Sequence, residues 1–402
     1  MSNPTEPQPT ALGGLKVVDF SRFLPAAYVS WLFGDMGADV IRIEHPRELT
    51  KQTEAQGFAG QSDREALMRR ARATQARNKR SLLINPGNAA ARAVIHKLIA
   101  EADVLIEDYR PGVLASMGYA YDEMARLNPR LVYVSVSFTG QTGPYSGRAG
   151  HDPAALALSG ALSRLNGLPT PTMPGVQVAD VLTGAHATIG ALMALQARER
   201  TGRGQWVDVA MSDASMPLVM LSLARGLDRP DTARPTGAWH PKGGVWLCGD
   251  GEYVCTTDME TRYWRTFCEL VDRPQYVALQ HVTAEHPAME ADLKAIFQTR
   301  PRDAWIEIFA KADTQAMPVL SLAEAMEDPH NRARNMVLET EVDGERVRQI
   351  GTPFHLSETP GRLRDVAGAA GAHTGEILAE LGLGAGDIEK LKTEGAFDDR
   401  RG

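Results

Sequence analysis

LKVVDFSRFLPAAYVSWLFGDMGADVIRIE, residues Leu15 to Glu44, sets the rhythm from which the fold class follows. Leu15 to Phe20 (LKVVDF) is a short, mostly apolar run and reads as a buried strand. Ala26 to Met36 reads as the helix after it, and Val40 to Glu44 (VIRIE) as a second strand. The same βαβ rhythm continues downstream. Arg80 to Ile84 is short and extended, Ala89 to Ala102 is helical, Val104 to Glu107 is a strand, and Leu131 to Ser137 (LVYVSVS) is a strong one. Alternation of this kind predicts an α/β protein with a mostly parallel sheet and helices on both faces.

Further along, Asp180 to Arg200 carries a long apolar stripe with Gly184, Ala185, Ala187, Gly190 and Ala191, small enough to let a neighbouring backbone come close. It ends at the turn Thr201 to Gly204, and Trp206 to Ala210 follows as a strand and Asp213 to Ala224 as a helix. Gly226 to Gly244 is rich in Pro, Gly and charge and reads as a linker. Beyond it, a smaller α+β segment runs to about Pro329. The remainder, with a short strand near Val347 to Gly351 and a helix near Thr374 to Leu381, is expected to return to the first domain. The expected domains are therefore 11–225, 226–329 and 330–402, the first and last together.

At 402 residues the chain is long enough for two or three domains with a substantial core. Three cysteines, Cys248, Cys255 and Cys268, have neither zinc-site spacing nor the even count of a disulfide framework, and read as reduced thiols. A net charge of −7 argues against a nucleic-acid partner, which requires a clustered positive face. The first residues lack a signal peptide's charged and apolar regions, and no stretch reaches the roughly 18 uncharged apolar residues of a membrane span. A cytoplasmic protein without a membrane partner is expected.

Several residues invite a chemical reading. His151 follows Gly150 and precedes a helix that Asp152 and Pro153 suit as N-cap and first-turn residue. The plain reading makes Asp152 the cap and His151 incidental. A histidine at a helix start is nonetheless kept neutral by the helix dipole and can accept a proton. Asp180 also reads first as an N-cap, and otherwise as an acid, a base or a nucleophile beside N–H groups suited to an oxyanion. Glu260, after the strand Tyr253 to Thr257, reads alone as a surface carboxylate or a helix start. The turns Gly140-Gln141-Thr142-Gly143 and Gly202-Arg203-Gly204 form neither a dinucleotide fingerprint nor a P-loop, and neither a metal-ligand spacing nor G-x-S-x-G is present. No metal or prosthetic group is expected.

Six blocks in order, LGGLKVVDFSRFLPAAYVSWLFGDMGADVIRIEHP (12–46), NKRSLLIN (78–85), ADVLIEDYRPGVLASMG (102–118), NPRLVYVSVSFTGQTGPYSGRAGHD (128–152), VADVLTGAHATIGALMALQARERTGRGQWVDVAMSD (178–213) and MPVLSLAEAMEDPHNRARNMV (317–337), resemble the family III CoA-transferase superfamily of CaiB/BaiF type. That superfamily includes the α-methylacyl-CoA racemases. The resemblance implies a large Rossmann-like domain built from both ends of the chain, a smaller domain between them, and a homodimer of protomers interlinked like rings. It also implies an acyl-CoA thioester substrate, with coenzyme A entering as part of that substrate.

Transferases of the superfamily use an aspartate at the position of Asp180 as nucleophile, through an acyl anhydride. Racemases keep it and add a histidine in a GHD motif, matched by Gly150-His151-Asp152, and a glutamate matched by Glu260 in DMETRYW, with Thr261 where they carry proline. The joint presence of His151, Asp180 and Glu260 favours the racemase branch, with His151 and Asp180 as the acid/base pair and Glu260 orienting His151. CoA transfer through Asp180 and non-catalytic thioester binding are the alternatives. CoA contacts are implied at His45, Ile84, Asn85, Asp108, Tyr109, Arg110, Gly140 and Gln141. The chain departs from the family at His45, at Ile84 to Gly87 and at Ser116, where relatives carry basic or acidic residues.

Overall fold

The structure is a computed structural model that describes residues 9–47, 64–165, 170–224, 241–342 and 344–398. It divides into two compact units, one of Met1–Leu162, Thr172–Arg225 and Arg332–Gly402, the other of Ser163–Pro171 and Gly226–Asn331. The linker reading for Gly226 to Gly244 falls, up to residue 240, outside the described residues.

The first unit is built on six strands: β1 (Lys16–Phe20), β2 (Asp39–Glu44), β3 (Lys79–Leu83), β4 (Val104–Glu107), β5 (Val132–Ser137) and β6 (Trp206–Ala210). Their order is β3-β2-β1-β4-β5-β6 and every neighbouring pair is parallel. This is the doubly wound order, whose reversal between β1 and β4 opens a crevice at the strands' carboxyl ends. The central strands β1, β4 and β5 are buried on both faces and read as apolar runs with little alternation, whereas the edge strand β6 alternates exposed and partly buried positions. Val17, Val40, Val104, Val132 and Val134 pack under α1 (Leu24–Asp35) and α6 (Val178–Thr201). Between those helices lie α2 (Arg64–Gln75), α3 (Ala89–Glu101), α4 (Tyr121–Leu127) and α5 (Asp152–Leu158). On the opposite face Val18, Ile41, Leu82 and Leu105 pack with Val94, Ile95 and Ile99 of α3.

Helix α6 is long and apolar enough, by length and composition, to cross a membrane. In this fold it lies against the sheet: Ala187, Ala191 and Ala194 are buried in the core, and Arg198 meets Asp103 at 2.9 Å. Its small residues serve the close approach expected of them. A Cβ on Gly184 would stand 2.6 Å from the Pro25 carbonyl oxygen of α1, closer than packed atoms tolerate.

The segment expected as one helix over Asp213 to Ala224 is instead three short pieces: α7 (Met211–Ser215), a 3-10 turn (Met216–Val219) and α8 (Met220–Ala224). Pro217 explains the break, because it has no N–H for a helical bond.

The second unit has an antiparallel sheet, β7 (Gly243–Leu247), β8 (Tyr253–Thr257) and β9 (Ala316–Pro318), with helices α9 (Thr261–Leu270), α10 (His286–Phe297) and α11 (Arg302–Phe309). Its core is aromatic. Trp246 stacks on Phe297 with centroids 5.3 Å apart, and the indole N–H groups of Trp246, Trp264 and Trp305 all donate to internal oxygens.

Back in the first unit, the C-terminal segment opens with the hairpin β10 (Val337–Val342) and β11 (Glu345–Ile350). Only its second strand was expected, since β10 (VLETEV) holds two exposed glutamates and is otherwise only partly buried. Two helices follow, α12 (Thr374–Glu380) and α13 (Ala385–Thr393); the latter, glycine-led and mostly exposed, carries too weak an apolar stripe to be seen in sequence. This segment covers the edge strand β3. Thr374 Oγ1 accepts the Leu83 N–H and His373 Nδ1 that of Ser81, both at 3.1 Å.

Candidate active site

Strand β5 delivers the chain to the sheet's carboxyl end, and the loop beyond it places His151. The turn is held by Gly140 N–H on Ser137 Oγ and Gln141 N–H on Asp208 Oδ2, each at 3.0 Å. Gly140 has a φ of 87°, a conformation that favours glycine. Gly150 meets the Phe138 ring so closely that a Cβ would lie 2.4 Å from it, which fixes the approach to His151.

His151, not Asp152, is the N-cap of α5. Its backbone is extended and its carbonyl accepts the N–H groups of Ala154 and Ala155. The imidazole is exposed and stands edge-on to Phe23, with ring centroids 6.1 Å apart. Phe23 is in turn fixed at the start of α1 by its N–H on Asp108 Oδ2, at 2.8 Å.

Asp180 is not an N-cap either. Gln177 holds that position, and Asp180 is the third residue of α6. Its own N–H donates to Asp152 Oδ2 at 2.9 Å, across 28 residues of sequence. Asp152 thus partners the first turn of α6 instead of capping the helix it begins, because its position inside α5 turns the carboxylate towards the neighbouring helix start. This bond brings the His151 turn and Asp180 together. Burial first, and the Asp152 carboxylate second, push the Asp180 carboxyl up to about 6.

Glu260 belongs to the second unit. It is the N-cap of α9, is exposed, and accepts a bond from Gln315 Nε2 at 3.2 Å. Gln315 is itself held by its N–H on Asp258 Oδ1 at 3.0 Å. Asp258 is wholly buried, and burial pushes its carboxyl up to about 6.

The expected CoA-contact residues divide by burial. The Ile84 side chain is inside the core, and Asn85 is spent on the fold, accepting from Gly87 N–H at 3.0 Å and donating to the Asp398 carbonyl at 3.1 Å. His45 Nδ1 accepts the Arg47 N–H at 2.9 Å. The Asp108 carboxylate accepts from Arg22 Nε at 3.1 Å and from the N–H groups of Arg22 and Phe23. The Arg22 guanidinium also lies 3.7 Å from the Tyr109 ring centroid. Asp108 and Tyr109 therefore shape the loop that carries Phe23, whereas Arg110 is exposed.

Arg110 and Gln141 line a cavity of about 260 Å³ with Glu107, Tyr121, Ser135 and Trp206. Glu107 is buried there, and burial pushes it up to about 7 despite its bonds from Ser135 and the Tyr109 N–H. Sequence reasoning did not single out Glu107, Gln315 or the Asp152 carboxylate as a partner of Asp180. The one signal for Glu107 is an acidic residue ending an apolar strand. Among the described residues no group of three or more His, Cys, Asp or Glu is placed to hold a metal ion.

Comparison with known proteins follows the same lines. The family model for CoA-transferase family III matches residues 12–374. The beta subunit of succinyl-CoA–L-malate CoA-transferase from Chloroflexus aurantiacus is 32% identical over 95% of this chain and 97% of its own. The alpha-methylacyl-CoA racemase of Mus musculus is 28% identical over 95% of this chain and 96% of its own. A crystal structure of a CAIB/BAIF family protein from Brucella suis, 28% identical, superposes with a TM-score of 0.79 over 93% of this chain and all of that one.

Proposed function

This chain belongs to CoA-transferase family III, and within that family we propose that it racemises α-methylacyl-CoA thioesters by 1,1-proton transfer. One observation carries the reading: His151 and Asp180 stand at neighbouring helix starts, joined by the Asp180 N–H bond to Asp152, with Asp180 titrating at about 6. A carboxyl that titrates near neutrality exists in both protonation states, as an acid/base catalyst requires. A carboxylate nucleophile needs only the ionised form.

The thioester carbonyl acidifies its α-hydrogen. Neutral His151 takes that proton, the C–H electron pair passes into an enolate, and backbone N–H donors at the site are assigned to hold the enolate oxygen. Asp180 in its acid form returns a proton to the opposite face of the carbon, inverting it. Imidazolium and carboxylate then exchange protons with solvent, and in the reverse direction the two residues trade roles. No prosthetic group is needed; coenzyme A enters as the thioester's carrier, with Arg110 and Gln141 among its contacts. We place the enzyme in the cytoplasm as an interlinked homodimer.

The test is to incubate a chiral 2-methylacyl-CoA in deuterium oxide. Loss of chirality with deuterium at the α-carbon is expected, and replacement of either His151 or Asp180 by Ala should lower the rate by about 10² or more. Absence of α-deuterium across a range of acyl groups overturns the proposal.

A second reading has its own support. Relatives at 30–32% identity are named CoA-transferases. In that reaction the Asp180 carboxylate attacks the thioester carbonyl, forms an acyl anhydride and expels the CoA thiolate. Hydroxylamine would trap the anhydride, and His151→Ala would leave activity intact.

A further inference from the structure

The GHD stretch contains a carboxylate with no assigned role. Asp152 is only 5% exposed. One of its oxygens, Oδ2, accepts the backbone N–H of Asp180 at 2.9 Å. The other, Oδ1, is buried and meets no donor among the described residues. A half-satisfied buried carboxylate is costly to keep, since each unmade bond leaves its desolvation uncompensated. The Asp180 N–H does not need one, because a serine or asparagine would satisfy it equally well.

We propose that Asp152 is a positioning residue for Asp180, anchoring the first turn of α6 through Oδ2 and keeping Oδ1 in place to accept the proton of the Asp180 carboxyl in its acid form. The Asp180 N–H bond already brings the two residues together, and the Asp152 charge acts on the Asp180 carboxyl. A side-chain carboxyl lies within a few ångströms of its own backbone nitrogen, and that nitrogen is already bonded to Asp152. The two acids then share one proton, so the acid form of Asp180 is stabilised and held in a single orientation. This is the form that delivers a proton to the substrate carbon. The role assigned here rests on the proton-transfer reading, whereas the pairing itself does not.

Other titratable groups lie on the elements packed against this helix. They are Asp35 on α1, His151 beside Asp152, Asp208 on β6 and Asp213 on α7, with His186 on α6 itself. Of these neighbours, Asp152 is the one whose charge acts on Asp180.

Two measurements test the pairing. The first is a carboxyl ¹³C titration of the full-length protein labelled at aspartate, with the Asp180 signal identified by its loss in Asp180→Asn. The native signal should titrate near 6. In Asp152→Asn, which keeps an acceptor for the backbone N–H but not the charge, the midpoint should fall by up to about one pH unit, because burial is the larger cause of the shift. Asp152→Ser is the second variant should the first fold poorly, and the same fall is expected. An unchanged midpoint in a folded variant overturns the proposal.

The second measurement is α-proton exchange. Asp152→Asn should keep KM while kcat at pH 7 drops by up to about tenfold, the equivalent of one pKa unit, and the alkaline limb of the pH profile should move down. A uniform loss at every pH would assign Asp152 a structural role only and overturn the proposal. If the native enzyme exchanges no α-proton yet the titration shifts, the pairing stands and the proton-transfer reading falls.

Discussion

At Asp180 the unusual ionisation has a consequence for stability. Its folded pKa of about 6 lies above the ordinary carboxylate value, so the folded chain binds the proton more tightly than the unfolded one. Stability is therefore greatest below the unfolded pKa and is lost as pH rises from about 4 through 6. Asp180→Asn removes the charge, and should melt a few degrees higher than the native protein at pH 7.5, with the difference vanishing near pH 4. A thermal melt series across pH checks both limbs; a native protein less stable at pH 4 than at pH 7.5 relative to the variant contradicts the assignment. Legibility at this scale was uneven. His151 and Asp180 stood out because motif and helix start coincide, but their caps were misplaced. Which residue accepts an N–H depends on where the helix begins, and a shift of one residue rotates a side chain by about 100°. Local sequence does not resolve that.

Among elements, the pairing of α1 with α6 governs the site, because Phe23 and Asp180 sit at their N-terminal ends. Gly184 sets their separation. Gly184→Ala would push a methyl group to 2.6 Å from the Pro25 carbonyl, which is backbone and cannot rotate away. We expect a loss of about 1–3 kcal/mol in urea denaturation, together with slower α-proton exchange. Gly175→Ala, where a Cβ would meet nothing within 4 Å, is the control and should be neutral. Equal melting of the two variants would show that the helices can part without cost. The strands β1, β2, β4 and β5 and helix α6 were readable from sequence because each carries an apolar run of its own, and β3 and β6 from their place in the alternation. The Asp213 to Ala224 helix was not, since one proline outweighed an otherwise helical pattern, and β10 was missed because an exposed strand needs little apolar surface.

For the whole molecule, a buried charge cluster ties distant parts of the first unit together. Arg77 donates to Asp35 at 3.1 Å and to the Ile350 carbonyl at 2.7 Å, while Asp35 also accepts from Asn78 and Thr352. Removing one member of such a pair typically costs about 3–5 kcal/mol. Val181, Ile189, Leu192 and Met193 leave an exposed apolar stripe on α6, the sort of surface a second copy covers. A solution mass of twice 43.7 kDa is expected, falling towards the single-chain value in Met193→Asp. A native mass of one chain would refute the dimer. By itself the sequence determined the parallel α/β architecture and the family, and it singled out His151 and Asp180 as candidates, because strand and helix periods and motifs are local properties. Only the tertiary structure decided that Asp152 accepts the Asp180 N–H rather than capping its own helix, that Ile84 and Asn85 face inward, and that burial pushes the Asp180 carboxyl up to about 6. Each of those depends on burial and on contacts between residues far apart in the chain, which no local pattern encodes.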